Sequence, residues 1–162
     1  MSSAFEAPRA SKPLVLDANV FIAVVRPDLG HVAAEDAAAC AAILTAVQKG
    51  RLRAYTPAPV VAELIHVLAR GGVPQADRSE LVQRLRGLRG RLDLVSVDAS
   101  LAEEAGEYRQ THYHRERLPL SYIDCFCLVL AQHIEGMLVT TDRPLLAAPG
   151  VEARAPREVV TS

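Results

Sequence analysis

LVLDANVFIAVV, residues 14–25, is an apolar run that holds just two polar side chains, Asp17 and Asn19. Leu14, Val15 and Leu16 follow Pro13 as a short β-prone triplet that ends at the acid. From about Asn19 to Val25 the pattern turns helical, and Pro27 stops it. A strand that passes straight into a helix is the unit from which an α/β sheet is built, so the rest of the chain decides whether the unit recurs.

It does. A long Ala-rich helix is expected over about 32–49 with Gly50 as its cap, and a second strand over 52–56, closed by Pro57 and Pro59. Pro59 opens a helix over about 60–70, ended by Gly71 and Gly72, and 77–88 is amphipathic, with Leu81, Val82, Leu85 and Leu88 on one side. A third strand is expected over 92–97, then a helix N-capped by Asp98 and running to about His114. A helix over about 121–134, a fourth strand over 137–140 and a weaker fifth over 153–156 complete the pattern. This alternation predicts one doubly wound α/β domain over residues 13–158, with a mainly parallel sheet of four to five strands. Residues 1–12 are polar and Ala/Ser-rich, the composition of a flexible leader.

Bulk composition fits that reading and excludes several others. In 162 residues, half are apolar, none is Trp and aromatics make up 4%, so Ala, Val and Leu must build the core, as in helices packed on a parallel sheet. No apolar run approaches the length of a membrane span and no secretory h-region is visible. Cys40, Cys125 and Cys127 are odd in number and lack zinc-site spacing, which points to reduced, packed thiols and a cytoplasmic protein. Net charge is −1, without the basic balance common in nucleic-acid binders, although a balance says nothing about distribution.

The informative residues are the carboxylates. VVAELIHVLA (60–69) holds Glu63, IDCFCLVLA (123–131) has Asp124 as its one charge, and MLVTTD (137–142) runs from a strand into Asp142. A lone ionised carboxylate in an apolar segment costs several kcal/mol unless something compensates it. Positions 120, 121, 127 and 128 around Asp124 are Leu, Ser, Cys and Leu, and around Glu63 only His66 could pair, so local ion pairs do not account for these acids. A shared cation does. All-oxygen ligation suits Mg²⁺ or Mn²⁺, and in a doubly wound sheet ligands gather at the carboxyl ends of strands, where Asp17 and Asp142 fall. Each acid also has a local alternative: Asp17 and Asp142 as helix caps, Glu63 at a wet edge, Asp124 as a partner of Ser121.

Taken together, LVLDANVFI, PVVAELIHVL, PLSYIDCFCLVLA and LVTTDRPL resemble the PIN-domain nucleases, and in size and architecture the VapC-type toxins of toxin–antitoxin pairs. The resemblance implies an α/β/α sandwich and an acidic pocket for one or two divalent metals, with Asp17, Glu63, Asp124 and Asp142 as catalytic metal ligands or their water-mediated supports. It further implies endonucleolytic cleavage of RNA, a homodimer and a small antitoxin partner. Asn19 and Thr140 carry over as groups that orient water or phosphate. Arg115 and Arg117, in a basic run ahead of the Asp124 segment, are the expected phosphate contacts. The polar leader and a longer stretch between Glu63 and Asp124 depart from the compact toxins. A non-catalytic binding or scaffold module is the competing reading. A phospho-acceptor receiver is disfavoured because no Lys follows Lys49, and D-x-D phosphohydrolases because position 19 is Asn.

Overall fold

The structure, a computed structural model, describes residues 12–160, so the expected leader, apart from Lys12, lies outside the described residues. In chain order the elements are β1 (Leu14–Leu16), α1 (Ala18–Val25), α2 (Ala34–Gln48), β2 (Ala54–Pro57), α3 (Ala58–Arg70), α4 (Gln75–Gly87), β3 (Leu92–Val95), α5 (Ala99–His112), α6 (Tyr122–His133), β4 (Met137–Val139), α7 (Arg143–Leu146), β5 (Glu152–Arg154) and α8 (Pro156–Val160).

The five strands form one sheet in the order β3-β2-β1-β4-β5, with every pairing parallel. The chain winds outward from β1 through β2 to β3, crosses back to β4, and winds outward again to β5. Right-handed crossovers then place α1–α4 on one face and α5–α6 on the other. Consistent with this, α3 packs on β2 and α4 on β3, whereas α6 packs on β1, β2 and β4 with α5 behind it. The result is an α/β/α sandwich around a parallel sheet.

β1 is three residues long, too short to persist alone, and it holds through pairing on both sides: Val15 lies in register with Tyr55 and with Leu138. Leu14, Val15 and Leu16 are all buried, each contributing roughly 1.5–3 kcal/mol of apolar burial. The winding direction reverses between β1 and β4, and the crevice at the carboxyl ends of these two strands is where such sheets bind ligands.

The strands and helices read from the sequence are present with shifted ends. β2 begins two residues later than expected and runs through Pro57, because its register follows from pairing Ala54 with Leu92 and Pro57 with Val95. α5 stops at His112 rather than His114: Tyr113 turns extended and His114 pairs with Leu118 in an antiparallel bridge. The fifth strand is Glu152–Arg154, and it is followed by α8, which packs against α2.

Gly136 sets the start of β4. A Cβ there would lie 2.6 Å from the Pro13 carbonyl oxygen and 2.9 Å from Cγ1 of Ile134, while Met137 N–H donates to that same carbonyl at 2.9 Å. Gly136→Ala is therefore expected to destabilise the fold by about 1–3 kcal/mol, read as a lower urea midpoint with an unchanged m-value. A midpoint equal to that of the wild type contradicts the close approach.

Candidate metal centre

Asp17 ends β1 at the crevice. Among the described residues, Asp17, Thr56 and Thr140 are the buried polar or charged side chains, and Asp17 is 2% exposed. Its carboxylate accepts from Ala18 N–H at 2.7 Å, from Asn19 Nδ2 at 3.1 Å and from the Thr140 hydroxyl at 2.8 Å. Thr140, just past β4, in turn accepts from Asp142 N–H at 3.0 Å. One hydroxyl thus fixes the acid that follows β1 to the backbone that follows β4. Thr56, at the same end of β2, donates to the Leu16 carbonyl and holds the third strand of the crevice.

Glu63 and Asp124 approach from opposite layers. Glu63 lies in the second turn of α3, which starts where β2 ends, and its Oε2 is buried with no hydrogen-bond partner. Asp124 is the third residue of α6. It forms a reciprocal capping box with Ser121: its Oδ2 accepts from Ser121 N–H at 2.6 Å, and its own N–H donates to Ser121 Oγ at 3.1 Å. Asp142 precedes α7 and makes no side-chain cap bond there.

Electrostatics ties the four together. Burial, followed by the charge of Asp124, pushes Asp17 up to about 6, with the Thr140 hydrogen bond working against the rise. Burial and the charges of Asp17 and Asp124 push Glu63 up to about 7. Asp142 is raised by burial and by Asp124. The buried Cys127 thiol is raised by burial and then by the charges of Asp17, Asp124 and Glu63. No basic side chain contributes to these shifts, and among the described residues none of the four acids is in an ion pair.

Among the described residues, no three His, Cys, Asp or Glu side chains stand as a ready ligand shell. Like charges without a counter-ion take separate partners, and Asp17 and Asp124 have found local ones at helix N-termini. Those local roles are the alternatives weighed from the sequence, and they are occupied. They leave three facts unexplained: the orphaned Oε2 of Glu63, the fully buried charge of Asp17, and mutual repulsion with no cation to offset it. An all-carboxylate donor set of this kind fits a hard divalent cation.

Of the weaker expectations, Asn19 and Thr140 lie on Asp17 itself. Arg115 and Arg117 are exposed in the turn between α5 and α6, away from the acids' hydrogen-bond network. Sequence reasoning passed over Thr56 and Cys127. For Thr56 the available signal was a threonine at the end of a buried strand, just before a proline. Cys127 carries no such signal, because a cysteine in an apolar helix reads as ordinary packing until the fold places it beside the acids.

The unfavourable charge has a measurable consequence. Because Asp17 binds its proton more tightly folded (about 6) than unfolded (3.8), the metal-free protein loses stability as pH rises through that window and levels off above it; Glu63 extends the fall to about 7. Asp17→Asn is expected to gain on the order of 1–3 kcal/mol near neutral pH in EDTA and to lose that advantage near pH 4. Urea midpoints across pH check this, and a variant as pH-sensitive as the wild type contradicts it.

The sequence matches the PIN domain family over residues 14–150, and the chain belongs to that family. No curated protein matches it. Its fold is similar to that in the crystal structure of FitAcB from Neisseria gonorrhoeae (22% identity, TM-score 0.58) and in a toxin–antitoxin complex from Klebsiella pneumoniae (18%, 0.55). VapBC2 from Rickettsia felis, bound to a DNA fragment from their promoter, is similar at 16% identity and a TM-score of 0.57. Each match covers 88% of this chain and 97% of the other.

Proposed function

We propose that this PIN-domain protein is a Mg²⁺- or Mn²⁺-dependent endoribonuclease, the toxin of a toxin–antitoxin pair, with its nuclease domain over residues 13–158. The observation that carries the reading is a fully buried Asp17 at the β1–β4 switch together with a buried, unpartnered Glu63 oxygen whose carboxyl is raised by the charges of Asp17 and Asp124. Membership of a nuclease family and fold likeness to toxin–antitoxin proteins support it. Among the described residues no helix is long and apolar enough to cross a membrane, which is compatible with the expected cytoplasmic setting. A small antitoxin partner belongs to the same proposal, by analogy with the toxin–antitoxin complex from Klebsiella pneumoniae, and a homodimer belongs to it through the family resemblance alone.

Asp17, Glu63, Asp124 and Asp142 are assigned as the residues that hold the metal. When bound, a divalent cation reverses the sign of the pocket toward a phosphodiester, lowers the pKa of a coordinated water and stabilises charge on the leaving oxygen. Thr140 and Asn19 favour the ionised form of Asp17 against the effect of burial and fix its direction, which preorganises it as a ligand. Asp124 holds the first turn of α6 through Oδ2, which accepts from Ser121 N–H, and its second carboxylate oxygen is the one assigned to the metal. Arg115 and Arg117 are assigned to substrate phosphates, since the acidic pocket alone repels RNA.

Mg²⁺ or Mn²⁺ is expected to switch on cleavage of unstructured RNA, and EDTA to abolish it. Asp17→Asn and Asp124→Asn should each lower kcat by more than about 100-fold. Ser121→Ala removes only the hydroxyl half of the capping box, since Asp124 Oδ2 still accepts from the backbone N–H of residue 121, and is expected to cost about 1 kcal/mol in stability while leaving most activity. If both Asn variants cleave at wild-type rates, the assignment is wrong. Arg115→Ala with Arg117→Ala should flatten the salt dependence of RNA binding by about one unit of slope.

A further inference from the structure

Among the described residues, two of the exposed large hydrophobic side chains lie against a single cation. Tyr122 is 59% and Tyr113 43% exposed, and the Arg109 guanidinium carbon sits 4.5 Å from the Tyr113 ring centroid and 4.9 Å from that of Tyr122. The arginine is itself pinned, its Nε donating to the Leu120 carbonyl at 3.0 Å, and it is in no ion pair among the described residues. Three side chains from α5, its cap and α6 are therefore held in one arrangement with two aromatic rings substantially open to solvent. Tyr122 is the first residue of α6 and Asp124 the third, so this cluster and the acidic centre share one helical turn.

We propose that Tyr113, Arg109 and Tyr122 form a platform on which an unpaired base of single-stranded RNA stacks while its phosphate meets the arginine. The inference rests on the nuclease reading and adds a subsite to it: two solvent-exposed rings around one arginine that take an unpaired base. A base offers a flat π-face to the tyrosines and its phosphodiester a charge to pair with Arg109, which is in no ion pair among the described residues. Arg115 and Arg117 repeat that complementarity, exposed on either side of Glu116 in the turn that leads from Tyr113 to Tyr122. An apolar protein partner has no comparable use for Arg109, Arg115 and Arg117 around two tyrosines. Duplex RNA keeps its bases stacked on one another and leaves the platform unused.

Fluorescence anisotropy with a fluorescein-labelled, unstructured RNA oligonucleotide in EDTA tests this, alongside KM and kcat in Mn²⁺ and size-exclusion light scattering of each variant. Tyr122→Ala and Tyr113→Ala are expected to raise Kd and KM about tenfold or more, with kcat much less affected, whereas Tyr122→Phe stays near the wild type. An RNA abasic along its length should bind the wild type as weakly as the intact RNA binds Tyr122→Ala, and duplex RNA should be insensitive to either tyrosine. Wild-type Kd and KM in both alanine variants, from a protein that does cleave RNA, overturn the platform and leave the nuclease reading intact. A changed oligomeric state in Tyr122→Ala, with RNA binding unaltered, also overturns it and makes the patch a protein interface. A wild-type chain that neither binds nor cleaves RNA removes the nuclease reading itself.

Discussion

A negative charge with no positive partner, buried where a parallel sheet changes winding direction, is the constraint around which the molecule is organised. Asp17 is the last residue before the chain leaves the central strand, and it is sealed in by β2, β4 and α6. The fold satisfies its oxygens with one backbone amide, one amide side chain and one hydroxyl, but neutral donors do not offset the burial of a full charge. The charge of Asp124 raises Asp17, Glu63 and Asp142, and that of Asp17 raises Glu63 as well. A metal-free protein carries this as instability, which the proposed divalent cation would offset.

The topology explains why the acids meet. Asp17 and Thr140 come from strands separated by 123 residues, yet they are hydrogen-bonded because β1 and β4 are neighbours in register. Glu63 comes from the helix layer on one side of the sheet and Asp124 from the other. Each reaches the crevice because its helix begins at the same edge of the sheet, near the ends of β2 and β4. Short strands serve this arrangement, since a three-residue β1 delivers Asp17 to the edge with the entire strand buried beneath it.

Much of this was legible in the sequence, for identifiable reasons. Glu63 and Asp124 stood out because neither has an Arg or Lys at helical spacing in its apolar run, Asp17 because it ends an apolar strand, and the alternation of strands with helices set the class of sheet. What the sequence could not give was pairing. The order β3-β2-β1-β4-β5, the extension of β2 through Pro57 and the end of α5 at His112 all depend on which distant segment supplies the partner hydrogen bonds. The double role of Asp124 was visible only as an alternative, because Ser121 three residues earlier reads as a cap just as readily as the acid reads as a ligand. Arg109 between two tyrosines was hidden altogether: Tyr122 belongs to a different helix, and nothing in the chain's periodicity brings the two together.

The same electrostatics separates positioning from stability. Thr140 and Thr56 contribute little apolar burial, but they join the ends of β1, β2 and β4 into one rigid edge. Anomalous diffraction from crystals soaked in Mn²⁺ near neutral pH tests the shared-cation claim most directly. A manganese peak bonded to Asp17, with Asp124 and Glu63 turned toward it and the Glu63 oxygen no longer orphaned, is the expected result. A crevice without a peak, in which Asp124 still caps Ser121 and Asp17 keeps only its three protein donors, contradicts it.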